Sequence, residues 1–344
     1  MTRACLLVAL SVFAAALAVS DSAILAKDAT ALRIVQTNSA GTTVSVIDPA
    51  TDRVVGVVRG IEVNRSAAAS PDGSLLYVTN QVESELAVVT VRDFQVVKHV
   101  KLDGHPDHIS IDKQGKRLFI SLGSPNAIEV VDASSLEKVT SIPIQGAVHY
   151  AYLTPDGHHI VAASVGGGTL TVVDAQTFQI EWMLKPGGVR PIAFDTNPDG
   201  STRRMYVEVS DFHGFVVIDF ATHQEVTRIT LPDIPGKTKN LDGIQAAPAH
   251  GIGISPDGKT LWALSKWYGY AYAYSMPDLR LIGQVEVGLG PEWLTFTPDG
   301  TRMYVSLAGD DAVAVLDPVK QQVITKVPVG YVPKFNMTAR LQVQ

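Results

Sequence analysis

The tetrapeptide Ser70-Pro71-Asp72-Gly73, followed by the run Leu75-Leu76-Tyr77-Val78-Thr79-Asn80, contains the pattern that decides the fold. The tetrapeptide returns in similar form at residues 154–157, 197–200, 255–258 and 297–300, and residues 112–115 are a degenerate copy. Proline sets φ at the first turn position, aspartate bonds back to the backbone, and glycine supplies the positive φ that reverses the chain. The turn glycines are spaced by 42, 42, 43, 58 and 42 residues, at Gly73, Gly115, Gly157, Gly200, Gly258 and Gly300. The chain is therefore a tandem repeat.

Each repeat predicts four β-strands. The turn leads into an apolar strand, at residues 75–79, 118–121, 160–164, 205–209, 261–265 and 303–306. A second strand follows and ends on a side chain that favours a turn, which is Thr90, Asp132, Asp174, Asp219, Ser275 or Asp317. A third, more polar strand comes next, as at 137–144 and 322–327, and a fourth runs into the following turn. Four strands at this period are typical of a β-propeller blade.

The two ends of the chain supply one more blade between them. Residues 32–37 and 44–48 form a seventh copy that lacks an inner strand, and residues 334–338 form an inner strand without a blade. We therefore expect an all-β protein, a seven-bladed β-propeller with four antiparallel strands per blade. The N- and C-termini share the closing blade, which removes the exposed sheet edges.

The strand 75–80 reads Leu-Leu-Tyr-Val-Thr-Asn and resembles the YVTN-type propeller repeat, as do 118–121 and 303–306. The resemblance covers nearly the whole chain after its first residues. It implies the seven-bladed fold and says little about function, because the motif is a turn and a buried strand rather than a site.

The composition and the N-terminal residues indicate the compartment of the protein and exclude some classes of partner. Its 344 residues are 46% hydrophobic and 18% charged, which predicts a folded chain, and the net charge of −6 argues against a nucleic-acid partner. A basic start and an apolar run over 4–19 predict a signal peptide in residues 1–26, cleaved near 20 or 26. Residues 27–344 then form one propeller domain, periplasmic or secreted, without membrane insertion. The only cysteine, Cys5, lies in the segment removed, which excludes disulfides and thiol catalysis.

The start of each inner strand predicts a ring of ionisable residues at the mouth of the central channel. Counting back from each turn glycine leads to one equivalent position per blade, occupied by Arg65, Asp107, His149, Arg190, His250, Glu292 and Lys334. The alternative is that the ring has no ligand, because a water-filled channel only requires polar side chains along its wall. The charged ring favours binding of a small anionic or polar ligand, or of a periplasmic partner protein. Trp267 and Trp293 are predicted to add aromatic surface to this site.

Two other functions remain open. The chain resembles the lactonase branch of seven-bladed propellers at His149, Arg190 and His250, which implies a lactone or ester hydrolase. In that reading His250 or His149 activates water, Arg190 stabilises the oxyanion and Glu292 orients the base. Similar propellers bind a cofactor non-covalently or serve as redox partners. No cofactor is predicted, although a divalent metal is an alternative at Asp107, His108, His149, His250 and Glu292.

Overall fold

The computed structural model describes residues 29–240 and 247–343, in which 28 strands form seven four-stranded sheets. All neighbouring strands in the sheets are antiparallel. The predicted signal peptide, residues 1–26, lies outside the described residues. Within the described ranges, no helix is long and apolar enough to cross a membrane. The predicted seven-bladed β-propeller is confirmed.

The closing blade, blade 7, unites the two ends of the chain. It contains β1 (Thr30–Asn38), β2 (Thr43–Asp48), β3 (Arg53–Arg59) and the last strand, β28 (Pro333–Gln342). β28 is innermost and pairs with β1, so that Ile34 lies opposite Thr338 and Thr30 opposite Gln342. The predicted sharing of one blade by the N- and C-terminal strands is confirmed.

Blades 1 to 6 follow in chain order, each built from four consecutive strands. Blade 1 contains β4 (Asn64–Ala69), β5 (Leu75–Asn80), β6 (Glu85–Thr90) and β7 (Gln95–Lys101), and blade 2 contains β8 (Pro106–Ile111), β9 (Arg117–Leu122), β10 (Ala127–Asp132) and β11 (Lys138–Pro143). Blade 3 contains β12 (Val148–Leu153), β13 (His159–Ser164), β14 (Leu170–Asp174) and β15 (Ile180–Leu184). Blade 4 contains β16 (Val189–Thr196), β17 (Thr202–Val209), β18 (Gly214–Asp219) and β19 (Gln224–Thr230). Blade 5 contains β20 (Ala249–Ile254), β21 (Thr260–Ser265), β22 (Tyr270–Ser275) and β23 (Leu281–Glu286), and blade 6 contains β24 (Pro291–Phe296), β25 (Met303–Leu307), β26 (Ala312–Asp317) and β27 (Gln322–Pro328).

The sequence pattern of each blade follows from where its strands lie. The two middle strands are buried on both faces, as with Trp262 on β21 and Tyr304 on β25, whereas the outermost strands are largely exposed. All six turn glycines have φ between 68° and 87°, and the turn aspartates accept backbone N–H groups, as Asp72 does from Ser74. The turns therefore work as the sequence predicts, because an L side chain rarely adopts this φ.

Candidate functional site

The ring residues owe their position to an irregularity in each innermost strand. In every blade the pairing between the innermost strand and its neighbour shifts register at the ring position, as between Asn64 and Ala67 in blade 1 and between Ala249 and Ile252 in blade 5. Residues at such a bulge leave the ladder, and their side chains are redirected. The seven predicted ring residues all lie within these shifts, so the fold brings them to one end of the channel.

A narrow cavity of about 40 Å³ opens at this end of the channel. Seven of the predicted site residues line it together with three others, the full lining being Arg65, Ser66, Asp107, His108, His149, Tyr150, His250, Trp293, Lys334 and Phe335. The predicted ring residue Arg190 does not line this cavity. Glu292 lies behind them and contacts His250 and Lys334. A volume of this size holds a few water molecules. It therefore suits a small ion or one polar end of a longer ligand.

On one side of the cavity, Asp107 contacts three other polar side chains. Its Oδ2 lies 3.3 Å from Nδ1 of His149, and its Oδ1 accepts a hydrogen bond of 2.9 Å from the Gln81 amide. Arg65 donates to Oε1 of Gln81 at 3.0 Å and lies 3.8 Å from Asp107. A carboxylate at Nδ1 favours the tautomer in which Nε2 of His149 is unprotonated. His149 thus presents a base at the cavity.

Glu292 organises the opposite side. It is 1% exposed, and its Oε1 lies 2.6 Å from Nζ of Lys266 and 3.3 Å from Nζ of Lys334. Burial acts to raise the pKa of Glu292, but the charges of His250, Lys334 and Lys266 outweigh it, and the pKa lies well below its ordinary value. We assign this effect to the two lysines, because His250 is neutral at pH 7. Glu292 is therefore a carboxylate between two cations.

His250 is buried and neutral, with both ring nitrogens engaged. Burial lowers its pKa to about 3. Nδ1 donates to the backbone oxygen of Glu292 at 2.6 Å, which leaves Nε2 to accept the Tyr150 hydroxyl at 2.9 Å. Burial likewise lowers the pKa of His108 to about 4, and its Nδ1 donates to the Ala151 oxygen. The predicted base His250 therefore has no ring nitrogen open to a water molecule, whereas His149 does.

Aromatic rings close the cavity from below. The Trp293 ring centroid lies 4.9 Å from that of Phe335 and 5.7 Å from that of Tyr150, and the His108 ring meets the Phe335 ring at 5.5 Å. Trp293 was predicted to add aromatic surface, and it forms part of this floor. The rings separate the charged mouth from the rest of the channel, so polar contacts above them are shielded from water on one side.

Among the residues that the structure describes, Arg190 is the ring cation that no carboxylate contacts. It is 8% exposed, and its Nε donates to the Ser210 hydroxyl at 2.9 Å. Among residues 29–240 and 247–343, no carboxylate oxygen lies within 4.0 Å of its guanidinium. A buried charge is costly unless it is paired. Within the described part of the chain, the Ser210 hydroxyl is therefore the side-chain partner of Arg190, and no carboxylate neutralises its charge.

Three contributing residues were absent from the predicted set. Lys266 reaches the site from the loop after β21, Tyr150 follows His149, and Glu208 lies opposite the bulge of its own blade. Glu208 could have been found from the repeat, because it stands at the position of Thr79 in the YVTN strand, where a carboxyl group is out of pattern. Lys266 could not, because loops carry no register.

Trp267 does not line the cavity. Its ring lies 4.7 Å from the ring of His213, and Nζ of Lys239 lies 4.5 Å from its centroid. Lys239 belongs to the 232–248 connection between β19 and β20, the source of the 58-residue spacing, and the backbone N–H of Asn240 donates to the Trp267 oxygen. Trp267 thus contacts the part of this connection that precedes residue 241. The five candidate metal ligands also fail to form one cluster, since the described part of the chain holds no group of three or more ligand side chains that could hold a metal ion.

His213 provides a prediction on stability. Burial lowers its pKa to about 4, against 6.5 in an unfolded chain, and Nε2 contacts the Ser265 hydroxyl at 2.7 Å. Below pH 6.5 the His213 side chain is protonated in the unfolded state but stays neutral in the folded state. Protonation therefore favours the unfolded state, and the free energy of unfolding decreases as the pH falls. Between about pH 6.5 and about pH 5, the free energy of unfolding of the wild type should decrease by about 1.5 kcal/mol more than that of His213→Gln. Denaturant titrations across this range measure the difference, and His158→Gln at an exposed site should behave as wild type.

Comparison with known proteins identifies the fold of the chain. No protein-family model matches the chain, and no curated protein matches it. The periplasmic gluconolactonase of Pseudomonas aeruginosa is 18% identical with a TM-score of 0.70, over 90% of this chain and 99% of that one. A protein from Lactobacillus plantarum is 17% identical with a TM-score of 0.73, over 90% and 100% of the two chains. Kuenenia stuttgartiensis hydrazine synthase is 22% identical with a TM-score of 0.70, over 82% and 91%. The chain is thus a seven-bladed β-propeller that shares its fold with a gluconolactonase propeller.

Proposed function

We propose that this protein is an exported propeller that binds a small anionic ligand at the charged mouth of its channel. The observation that carries the proposal is Arg190, a buried guanidinium without a carboxylate partner among the described residues. Elsewhere in the site, Arg65 lies 3.8 Å from Asp107, and Lys334 lies 3.3 Å from Glu292. The seven ring positions hold three cations, at Arg65, Arg190 and Lys334, against the two carboxylates of Asp107 and Glu292, and an excess of positive charge stabilises a carboxylate or phosphate oxygen.

Calorimetric titration tests this proposal directly. Acetate, glycolate and inorganic phosphate are titrated at low ionic strength into the chain from residue 27 onward, and methylammonium serves as the cationic control. We expect saturable binding of at least one anion, weakened by added salt, and no binding of the cation. Equal affinity for anion and cation, or heat without saturation, would contradict the proposal.

Export is the second part of the proposal. It is supported by the basic start and the apolar run over 4–19, and one structural neighbour is named as a periplasmic gluconolactonase. Expression of the full chain in a bacterium, followed by fractionation and N-terminal sequencing, should recover a shortened protein in the periplasm. Full-length protein in the cytoplasm would refute this part.

Hydrolysis of a lactone or ester is a second candidate, favoured by the His149 and Asp107 pair. Asp107 orients His149, and Nε2 of His149 can take a proton from a water molecule while that water attacks the carbonyl carbon. The oxyanion that forms would be stabilised by Arg190.

Proton release from a panel of lactones and aryl esters separates binding from catalysis. If the protein is a hydrolase, His149→Ala should lower turnover by about 100-fold or more, while His250→Asn should reduce it less, because only His149 presents a free nitrogen. His158→Ala, at an exposed site, is the folded control. Absence of turnover on every compound leaves binding alone, and a larger loss in His250→Asn than in His149→Ala would exclude the assignment of His149 as base.

A further inference from the structure

A second cavity, which we call the lower cavity, borders the aromatic floor of the channel mouth. It has a volume of about 380 Å³, against about 40 Å³ at the mouth. Three neighbouring innermost strands line it, with residues 67–71 from blade 1, 108–111 from blade 2, and 335 and 337–340 from blade 7. Small-molecule sites in proteins typically occupy about 300–1,000 Å³. The lower cavity is therefore large enough for a small organic molecule.

Blade 1 contributes unusually small side chains to this cavity. Its innermost strand ends in Ala67, Ala68 and Ala69, directly before the turn that starts at Ser70. The residue before the turn is larger and apolar in blades 2, 3, 5 and 6, where it is Ile111, Leu153, Ile254 or Phe296. Blade 1 thus lacks side-chain volume that these blades have, and the wall it leaves is mainly apolar.

His108 is a buried polar side chain at the boundary between the two cavities. It lines both of them and is 6% exposed. Its Nδ1 lies 2.9 Å from the backbone oxygen of Ala151, and because a carbonyl oxygen can only accept, Nδ1 carries a hydrogen. No carboxylate oxygen of the described residues lies within 4.0 Å of the ring nitrogens, and burial lowers the pKa of His108 to about 4. The ring is therefore neutral, with an acceptor at Nε2.

This acceptor has no donor within the protein. In residues 29–240 and 247–343, Nε2 of His108 makes no hydrogen bond. The nearby rings of Tyr152 and Phe335, with centroids 4.9 Å and 5.5 Å from that of His108, supply apolar contact instead. A buried acceptor costs free energy unless a ligand or a water molecule completes it. His108 therefore calls for a hydrogen-bond donor that comes from outside the chain.

We propose that the lower cavity binds a small neutral alcohol or phenol, whose hydroxyl donates to Nε2 of His108 and whose apolar body lies against the alanines of blade 1. A carboxylate has no hydrogen to donate. An ammonium ion would meet Arg340 at the exposed end of the cavity and no carboxylate in its wall, where a charge is costly. The site is separate from the anion site at the mouth, and the inference does not rest on the proposed function.

Phenol and toluene test the hydrogen bond, because toluene carries a methyl group where phenol carries its hydroxyl. Both dissociation constants are measured by ligand-observed NMR on the chain from residue 27 onward, in wild type and in His108→Phe, which keeps a ring and removes the acceptor. We expect saturable binding of phenol to wild type, and in His108→Phe a loss of about 3- to 10-fold in the affinity for phenol relative to toluene. A purely structural role of His108 would change both affinities equally. His158→Phe, at an exposed site, should keep the wild-type ratio.

A cavity-filling variant tests the location. Ala69→Leu introduces the residue that blade 3 has at this position, so the blade pattern accommodates it, and thermal unfolding checks the fold. We expect the affinities for phenol and toluene both to fall by at least about tenfold, because the new side chain occupies the cavity. Wild-type affinities in a folded Ala69→Leu would overturn the inference by placing the ligand elsewhere. An unchanged ratio in His108→Phe, or no saturable binding of phenol to wild type, would overturn it as well.

Discussion

Replacing Arg190 with leucine should weaken binding of acetate or phosphate by about 10- to 100-fold, since hydrogen bonds to a charged group contribute about 1.5–3 kcal/mol. The same change should leave the thermal midpoint near the wild-type value, because it removes a buried cation that no described carboxylate neutralises. Arg190→Lys should recover part of the affinity, as lysine keeps the charge and loses the planar fork. Calorimetric titration together with thermal unfolding measures both effects.

The matched control for Arg190 is Arg340, an exposed arginine on β28 that lines a second cavity with Met337 and Ala339, away from the ring. Arg340→Leu removes the same charge without touching the mouth, so anion affinity should change by less than about twofold. If the two variants lose affinity equally, the effect comes from net charge and the assignment of Arg190 as the anion partner is wrong.

Replacing Glu292 with alanine should destabilise the fold by about 3–5 kcal/mol, the usual effect of removing one partner from a buried ion pair. Lys266 and Lys334 would then face each other without the carboxylate that lies 2.6 Å and 3.3 Å from their ammonium groups. Unlike Arg190, both lysines contact a carboxylate directly, so its loss removes the negative charge that lies next to both ammonium groups. Denaturant unfolding at pH 7 measures the change.

The control for Glu292 is Glu286, which pairs with Lys237 at 2.8 Å on the surface. Glu286→Ala should change stability by less than about 1 kcal/mol, because water already screens this pair. The double variant Glu292→Ala with Lys334→Met should regain part of the lost stability, since one unpaired cation is removed. No recovery in the double variant would mean that Glu292 acts through packing rather than charge.

The repeat made most of the fold predictable. The turn glycines marked the start of each second strand, and the strand predicted at 261–265 is Thr260–Ser265 in the structure. Closure by residues 334–338 was predictable because one blade lacked a strand and the C-terminus had one in excess, and it is realised by β28 pairing with β1. Local turn chemistry and a period that repeats carry this information, because each blade obeys the same rule as its neighbour.

The site was predictable only as a set of positions. Counting from the turns located His149 and His250 equally well, yet one presents a free nitrogen beside Asp107 and the other is buried, neutral and bonded to Tyr150. Trp267 was expected at the ligand and instead holds the 232–248 connection through Lys239. Equivalent positions in a repeat receive different surroundings from adjacent blades, and no single repeat contains that information.

By itself, the sequence determined the number of blades, the strands, the closing blade and the ring of ionisable residues, because these follow from spacing along the chain. Only the tertiary structure decided which charges neutralise each other: within the described residues, Asp107 pairs with Arg65 and Glu292 with Lys334, whereas no carboxylate contacts Arg190. Electrostatic pairing acts through space across blades about 40 residues apart in the chain, over a few ångströms and in a dry environment. Distances of that kind arise only when the propeller has closed.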